Sequence, residues 1–269
     1  MTLAYDGWAF HGFQRQNPPD RPPLRTVQGE LEATLRSVLR QPVKTVGASR
    51  TDARVHAAGQ LVQFDAATRI PTNRIGLAIN NQLPGDMEIR HLDEVAPNFD
   101  VIGGVESKQY RYRIFNASQR PLAMRHMVFH CWERLDLALM QAGAQKLVGE
   151  HDFGGFAAAG HGRTSTVRTV HRCAVSADDP EVQLVIEGNG FLWNQVRIMA
   201  GTLVEIGRGQ MSIEQIDRIL ETADRREAGP TLPPEGLSLE WIRHREYTSP
   251  VDGSAVPARV TARSPYPPA

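Results

Sequence analysis

Gln109-Tyr110-Arg111-Tyr112-Arg113-Ile114-Phe115 alternates aromatic or apolar residues (Tyr110, Tyr112, Ile114) with arginine (Arg111, Arg113). A period of two is the mark of a half-buried β-strand, here with a cationic second face. Upstream, a strand at Thr2–Asp6 enters a Gly- and aromatic-rich loop (Gly7, Trp8, Phe10, Gly12, Phe13) and then a Pro-rich stretch, Pro18 to Pro23. Thr26 is placed to cap a helix in which Val27, Leu31, Leu35, Val38 and Leu39 recur at helical spacing. The chain then reads as a strand at Val43–Gly47, a polar loop at Ala48–His56, a strand at Gln60–Phe64, a helix at Thr72–Asn81 and a strand at Met87–Glu94. Downstream come a helix at Leu135–Leu147 with Gly149 as its stop, a small-residue loop at Ala157–Gly162 expected to be mobile, and strands at Val167–Val175 and Glu181–Glu187. Helices at Asn194–Ile206 and, after a Ser212 cap, to Thr222 precede a last strand at Leu237–Ile242.

Strands of antiparallel type with helices to one side give an α+β fold. We expect two lobes, 1–104 and 105–247, hinged near Gly103-Gly104, each with its own antiparallel sheet. Residues 248–269 are Pro-, Ser- and Ala-rich without periodicity, which predicts a disordered tail. The chain has 269 residues, 41% hydrophobic and 22% charged, enough for a large core and incompatible with a fibrous or wholly disordered protein. No apolar run approaches the roughly 18 residues of a membrane helix, and the first residues lack an export signal, so a cytoplasmic location is expected. Cys131 and Cys173 cannot form a disulfide framework and read as reduced packing residues.

Thirty basic side chains balance thirty acidic ones, so overall charge gives no support to nucleic-acid binding. Local asymmetry does: Lys108, Arg111, Arg113, Arg120 and Arg125 lie between Ser107 and Cys131 with no acid among them. Arginine suits bidentate phosphate contacts, although a solvated strand face would look the same. The densest polar cluster is Ser49-Arg50-Thr51-Asp52-Ala53-Arg54-Val55-His56. An aspartate with Arg two positions away on each side is expected to stay ionised and could act as nucleophile or base; it could equally be a loop aspartate capped by its own Thr. The loop lacks the Gly-Lys-Ser/Thr ending of a phosphate loop and no Gly-x-Gly-x-x-Gly follows a strand, so no nucleotide cofactor is expected. His126, His130 and Cys131 lack the second Cys pair of a zinc site, and no metal is expected.

Tyr5-Asp6-Gly7 with Phe10 to Gln16, Thr26-Val27-Gln28, Ser49 to Ala57, Asn80 with Leu83 to Asp86, Tyr110-Arg111-Tyr112, Gly149 to Phe153, Thr166-Val167-Arg168, Phe191 to Arg197 and Ala228 to Thr231 follow one another in the order of a known set of signatures. Together they resemble the bacterial tRNA pseudouridine synthase A family over nearly the whole chain before the tail. The resemblance implies a pseudouridine synthase fold with its active cleft between the lobes. It also implies an isomerase that converts uridine to pseudouridine at positions 38 to 40 of tRNA, as a homodimer without cofactor. By the same resemblance Asp52 is the catalytic aspartate, Tyr110 the aromatic residue that stacks on the target base, and Arg197 the basic partner of Asp52. Arg50, Lys108, Arg111 and Arg113 are then expected to contact RNA.

Three positions depart from the family pattern: Ser49 and Arg54 stand where it usually has Gly, and Ile102 where it usually has Arg. If residue 54 takes a positive φ, arginine there is strained by about 1 kcal/mol or more. Alternatively Arg54 reaches outward and replaces the cation missing at Ile102. A non-catalytic tRNA-binding protein with a degenerate site is the competing reading; it and the enzyme part at Asp52.

Overall fold

The computed structural model describes residues 1–20, 22–160, 162 and 164–247, so the expected tail and part of the expected mobile loop lie outside the described residues. Among the described residues ten strands form one mixed sheet: β1 (Thr2–Tyr5), β2 (Thr45–Gly47), β3 (His56–Phe64), β4 (Met87–His91), β5 (Val105–Asn116), β6 (Phe129–Cys131), β7 (Gly149–Asp152), β8 (Val167–Asp178), β9 (Glu181–Gly188) and β10 (Leu237–His244). Their order is β4-β1-β3-β10-β5-β9-β8-β7, with β2 added to β3 and β6 to β5. The two expected sheets are therefore one. β10 pairs parallel with β3, through Ser238 opposite His56, and antiparallel with β5, through Leu239 opposite Tyr110.

Among the described residues five α-helices accompany the sheet: α1 (Val27–Leu39), α2 (Thr72–Asn80), α3 (Leu137–Lys146), α4 (Gln195–Gly207) and α5 (Glu214–Thr222). Thr26 Oγ1 accepts the Gly29 N–H, and Val27, Leu31, Leu35 and Leu39 are buried, so α1 follows the spacing that announces it. The Asn80 side chain brackets Ile89, accepting its N–H and donating to its carbonyl, which fixes α2 against β4. In β5, Tyr110, Tyr112 and Ile114 turn toward the core with Leu184 and Ile186 of β9, beneath α3 and α4. One hydrophobic core runs from Leu3 and Leu31 through Tyr112 and Leu184 to Met199 and Ile219.

Several boundaries differ from expectation for physical reasons. Gly149 does not stop α3, which has ended before it; at φ 122° it opens β7. α5 begins at Glu214 with Ile213 rather than Ser212 in the cap position. β3 starts four residues before Gln60, because Ala57 already pairs with Tyr5 and Leu239. The expected hinge at Gly103-Gly104 is a packed turn: Gly104 N–H bonds the Asp100 carbonyl, and a Cβ on Gly104 would sit 2.1 Å from the His244 ring. Cys131 and Cys173 are free and buried. No helix among the described residues is long and apolar enough to cross a membrane.

Candidate active site

The loop between β2 and β3 carries Asp52, and its shape is set by buried polar contacts. The amide of Gln60, with no exposed surface, spans Ser49, donating to its carbonyl at 2.7 Å and accepting its N–H at 3.1 Å. The Tyr5 hydroxyl meets Thr51 Oγ1 at 2.8 Å, and the Phe13 N–H donates to the Thr51 carbonyl at 3.1 Å. The Gly- and aromatic-rich loop is the buttress: Phe10 and Phe13 are buried, and a Cβ on Gly7 would fall 2.0 Å from the Val55 carbonyl oxygen. This backing leaves Asp52 half-buried with one carboxyl end available.

Two groups from the far half of the chain meet that carboxyl. Trp193 Nε1–H donates to Oδ1 at 3.2 Å, and Arg197 Nη1 lies 3.7 Å from Oδ2. Arg197 stands in the first turn of α4 and is mostly buried; its Nε donates to the Leu232 carbonyl at 2.6 Å and its Nη1 to Asn194 Oδ1 at 2.8 Å. Asn194, in the left-handed region at φ 60°, turns the chain into α4, so one irregular residue positions both Trp193 and Arg197. Burial pushes the Asp52 carboxyl above its ordinary range, against the lowering influence of the Arg197 charge and the Trp193 hydrogen bond. This corrects the expectation that Arg50 and Arg54 hold Asp52 ionised: neither forms an ion pair with it, and burial outweighs the cation that does. Burial likewise lowers the Arg197 pKa, with Asp52 opposing.

Tyr110 sits next to this pair but is 7% exposed. Its hydroxyl is 3.1 Å from Ser49 Oγ, and its ring meets Phe191 edge-on at 5.4 Å. Burial, and to a smaller extent the Asp52 charge, push the phenol up to about 12, so it remains a neutral, fixed wall. Lys108, on the same face of β5 as Tyr110, donates to the Ala48 carbonyl at 2.9 Å and to Ser49 Oγ at 3.1 Å, propping the loop. Ser49, a departure from the family pattern, thus ties loop, Tyr110 and Lys108 together.

The remaining predicted contacts separate. Arg50 is exposed at the loop surface and has no ion-pair partner among the described residues. Arg111 and Arg113 project from the opposite face of β5, away from Tyr110, into a broad trough. There Arg111 pairs with Glu240 at 2.9 Å and Gln183 at 2.8 Å, and Arg113 with Glu181 at 2.6 Å. The run without acids between 107 and 131 hid this, because the neutralising carboxylates come from neighbouring strands. These two arginines do not join the Asp52 cluster. Of the other departures, Arg54 does take a positive φ, 67°, and Ile102 lies exposed on the turn before β5. Trp193 was not singled out by sequence reasoning, although it lies within the Phe191–Arg197 stretch. Its only signal there was a large aromatic residue beside a helix start.

Among the described residues no group of His, Cys, Asp and Glu side chains converges to hold a metal ion. The cluster offers one carboxylate that accepts a hydrogen bond on Oδ1 and faces the Arg197 charge across 3.7 Å on Oδ2, beside an aromatic wall and open to solvent on one side. Such a group can attack an electrophilic carbon or take a proton.

Residues 1–102 and 144–244 match the family model described as tRNA pseudouridine synthase. The chain is 43% identical over 238 residues to tRNA pseudouridine synthase A of Brevibacillus brevis, covering 88% of this chain and 96% of that one. It is 40% identical over 248 residues to tRNA pseudouridine synthase A of Streptococcus pneumoniae, covering 91% and 98%. With the namesake of Caldicellulosiruptor saccharolyticus it shares 37% over 239 residues, 89% and 96% of the two chains. The family-model match and this similarity along most of the chain show that the chain belongs to the tRNA pseudouridine synthase family.

Proposed function

We propose that this protein isomerises uridine to pseudouridine in the anticodon stem-loop of tRNA, at positions 38 to 40, acting in the cytoplasm as a homodimer. The observation that carries this reading is the half-buried Asp52 carboxylate, bound by Trp193 and Arg197 and set beside Tyr110. Asp52 comes from the first 104 residues and its three neighbours from residues 105–247, which supports a cleft between two lobes as the place where RNA is held.

Substrate and product contain the same atoms. The C1′–N1 bond breaks, C1′–C5 forms, the proton on C5 leaves and N1 gains one, so the stoichiometry requires no oxidant, reductant or carrier. The target nucleotide must leave its stack to expose the glycosidic bond, and an aromatic wall then receives the base. Tyr110 supplies that wall. Asp52 is the catalytic residue, attacking carbon or removing a proton at the separated sugar and base. Arg197 keeps it charged as the surroundings exclude water. Lys108 holds the loop, and Arg50 contacts backbone phosphate.

The test is to incubate the purified protein with a tRNA transcript carrying uridine at positions 38 to 40 and to map pseudouridine. Conversion at those positions is expected in the wild type. Asp52→Asn is expected to bind the transcript with similar affinity and to lose at least roughly a thousandfold in turnover. A wild-type protein that binds tRNA without converting it would replace this reading with that of a non-catalytic RNA-binding protein.

A further inference from the structure

Arg54 occupies the third position of the turn Asp52–Val55, closed by the Val55 N–H on the Asp52 carbonyl at 3.2 Å. Its φ of 67° lies in the region that glycine tolerates and other residues avoid. Its backbone is held there by the Phe10 carbonyl, which accepts the Arg54 N–H at 3.1 Å. The side chain is ordered as well. The guanidinium carbon lies 4.6 Å from the Trp8 ring centroid, and Trp8 stacks on His126 at 3.6 Å with 30° between the planes.

A stacked guanidinium keeps its five N–H donors around its rim, directed away from the ring beneath. Arg54 is exposed, and among the described residues no carboxylate pairs with it. Asp6, at the start of the same aromatic loop, accepts the Trp8 N–H at 3.0 Å instead. In contrast, Arg25, Arg111, Arg113 and Arg197 all face an acid. Arg54 is thus an ordered cation without a counter-charge, at a backbone position that penalises any side chain. One residue separates it from Asp52, so their Cα atoms are within about 7 Å. A nucleotide whose glycosidic bond reaches Asp52 therefore brings a flanking phosphate within reach of this side chain.

We infer that Arg54, clamped on Trp8 and His126, is a binding site for a backbone phosphate of the RNA strand next to the extruded uridine. The inference rests on the function proposed above and adds a contact to it. Pre-ordering by the stack means that little side-chain freedom is lost when the phosphate binds.

The test is fluorescence anisotropy with a labelled tRNA transcript over about 50 to 300 mM salt, alongside thermal melts and pseudouridine assays. Asn tolerates the left-handed conformation, so Arg54→Asn is expected to melt no lower than wild type. It should bind roughly five- to tenfold more weakly, raise KM more than it lowers kcat, and reduce the slope of log affinity against log salt by about one. Trp8→Leu, which keeps the charge and removes its platform, should reproduce much of the affinity loss with a smaller change of slope. Wild-type affinity and slope in Arg54→Asn would overturn the site, as would a loss of affinity with unchanged slope. Absence of pseudouridine in the wild-type reaction would instead strike the proposed function, while the salt slopes would still decide for or against Arg54.

Discussion

Asp52 is under opposed influences whose balance has measurable consequences. Burial raises its pKa, and Arg197 and the Trp193 indole pull it back. A carboxyl whose pKa is higher folded than unfolded binds more protons in the folded state between those two values. Stability therefore falls as pH rises through that window, and the charge remains a destabilising element at neutral pH. Asp52→Asn should accordingly melt at or above the wild-type temperature while losing activity, a pairing that calorimetry and pseudouridine mapping would check together. Trp193→Phe keeps an aromatic ring but deletes the N–H that favours the ionised form. The acid limb of its kcat/KM profile should move to higher pH, with kcat/KM at neutral pH reduced about two- to tenfold. An unmoved limb would mean that the indole does not act on the carboxylate. Asp52 and Arg197 were legible as a pair through family signatures. Trp193 was not, since a half-exposed tryptophan in a loop becomes meaningful only when its nitrogen is seen to face an acid.

The active geometry depends at the next scale on how closely α4 approaches the segment before β10. A Cβ on Gly201 would lie 1.9 Å from the Pro230 carbonyl oxygen, and one on Gly229 would lie 2.6 Å from Thr202 N. This approach brings the Leu232 carbonyl onto Arg197 Nε. Gly201→Ala must push backbone away from backbone, since no flexible side chain can yield. We expect a loss of about 1 to 3 kcal/mol by chemical denaturation. Activity should fall at least about tenfold even at temperatures where the variant is folded, because Arg197 loses its seat. Elements whose signals are local were readable in advance: α1 through Thr26 and its apolar spacing, β5 through strict alternation. The alternation could not say which face of β5 served the site. Nor could it show that Glu240 and Glu181 lie opposite Arg111 and Arg113.

Across the whole molecule, β10 is the piece that makes one sheet from two. Leu239 has no exposed surface and lies between Ala57 of β3 and Tyr110 of β5. We expect unfolding of both halves in a single transition, with far-ultraviolet circular dichroism and tryptophan fluorescence giving coincident curves. Two resolved transitions would show that the halves are energetically separate. The pairing of residue 238 with residue 56 leaves no trace in local sequence pattern, which is why two separate sheets were expected. The same placement bears on biosynthesis. While the chain is being translated, β3 lacks its inner neighbour until residues 237–244 emerge, about 170 residues after β3 itself. At roughly 5 to 20 residues per second this leaves an uncapped strand edge beside the ribosome for on the order of ten seconds or longer. Nascent chains arrested before residue 237 should therefore be held by chaperones and cut readily by protease, whereas chains extended far enough for β10 to clear the exit tunnel should resist.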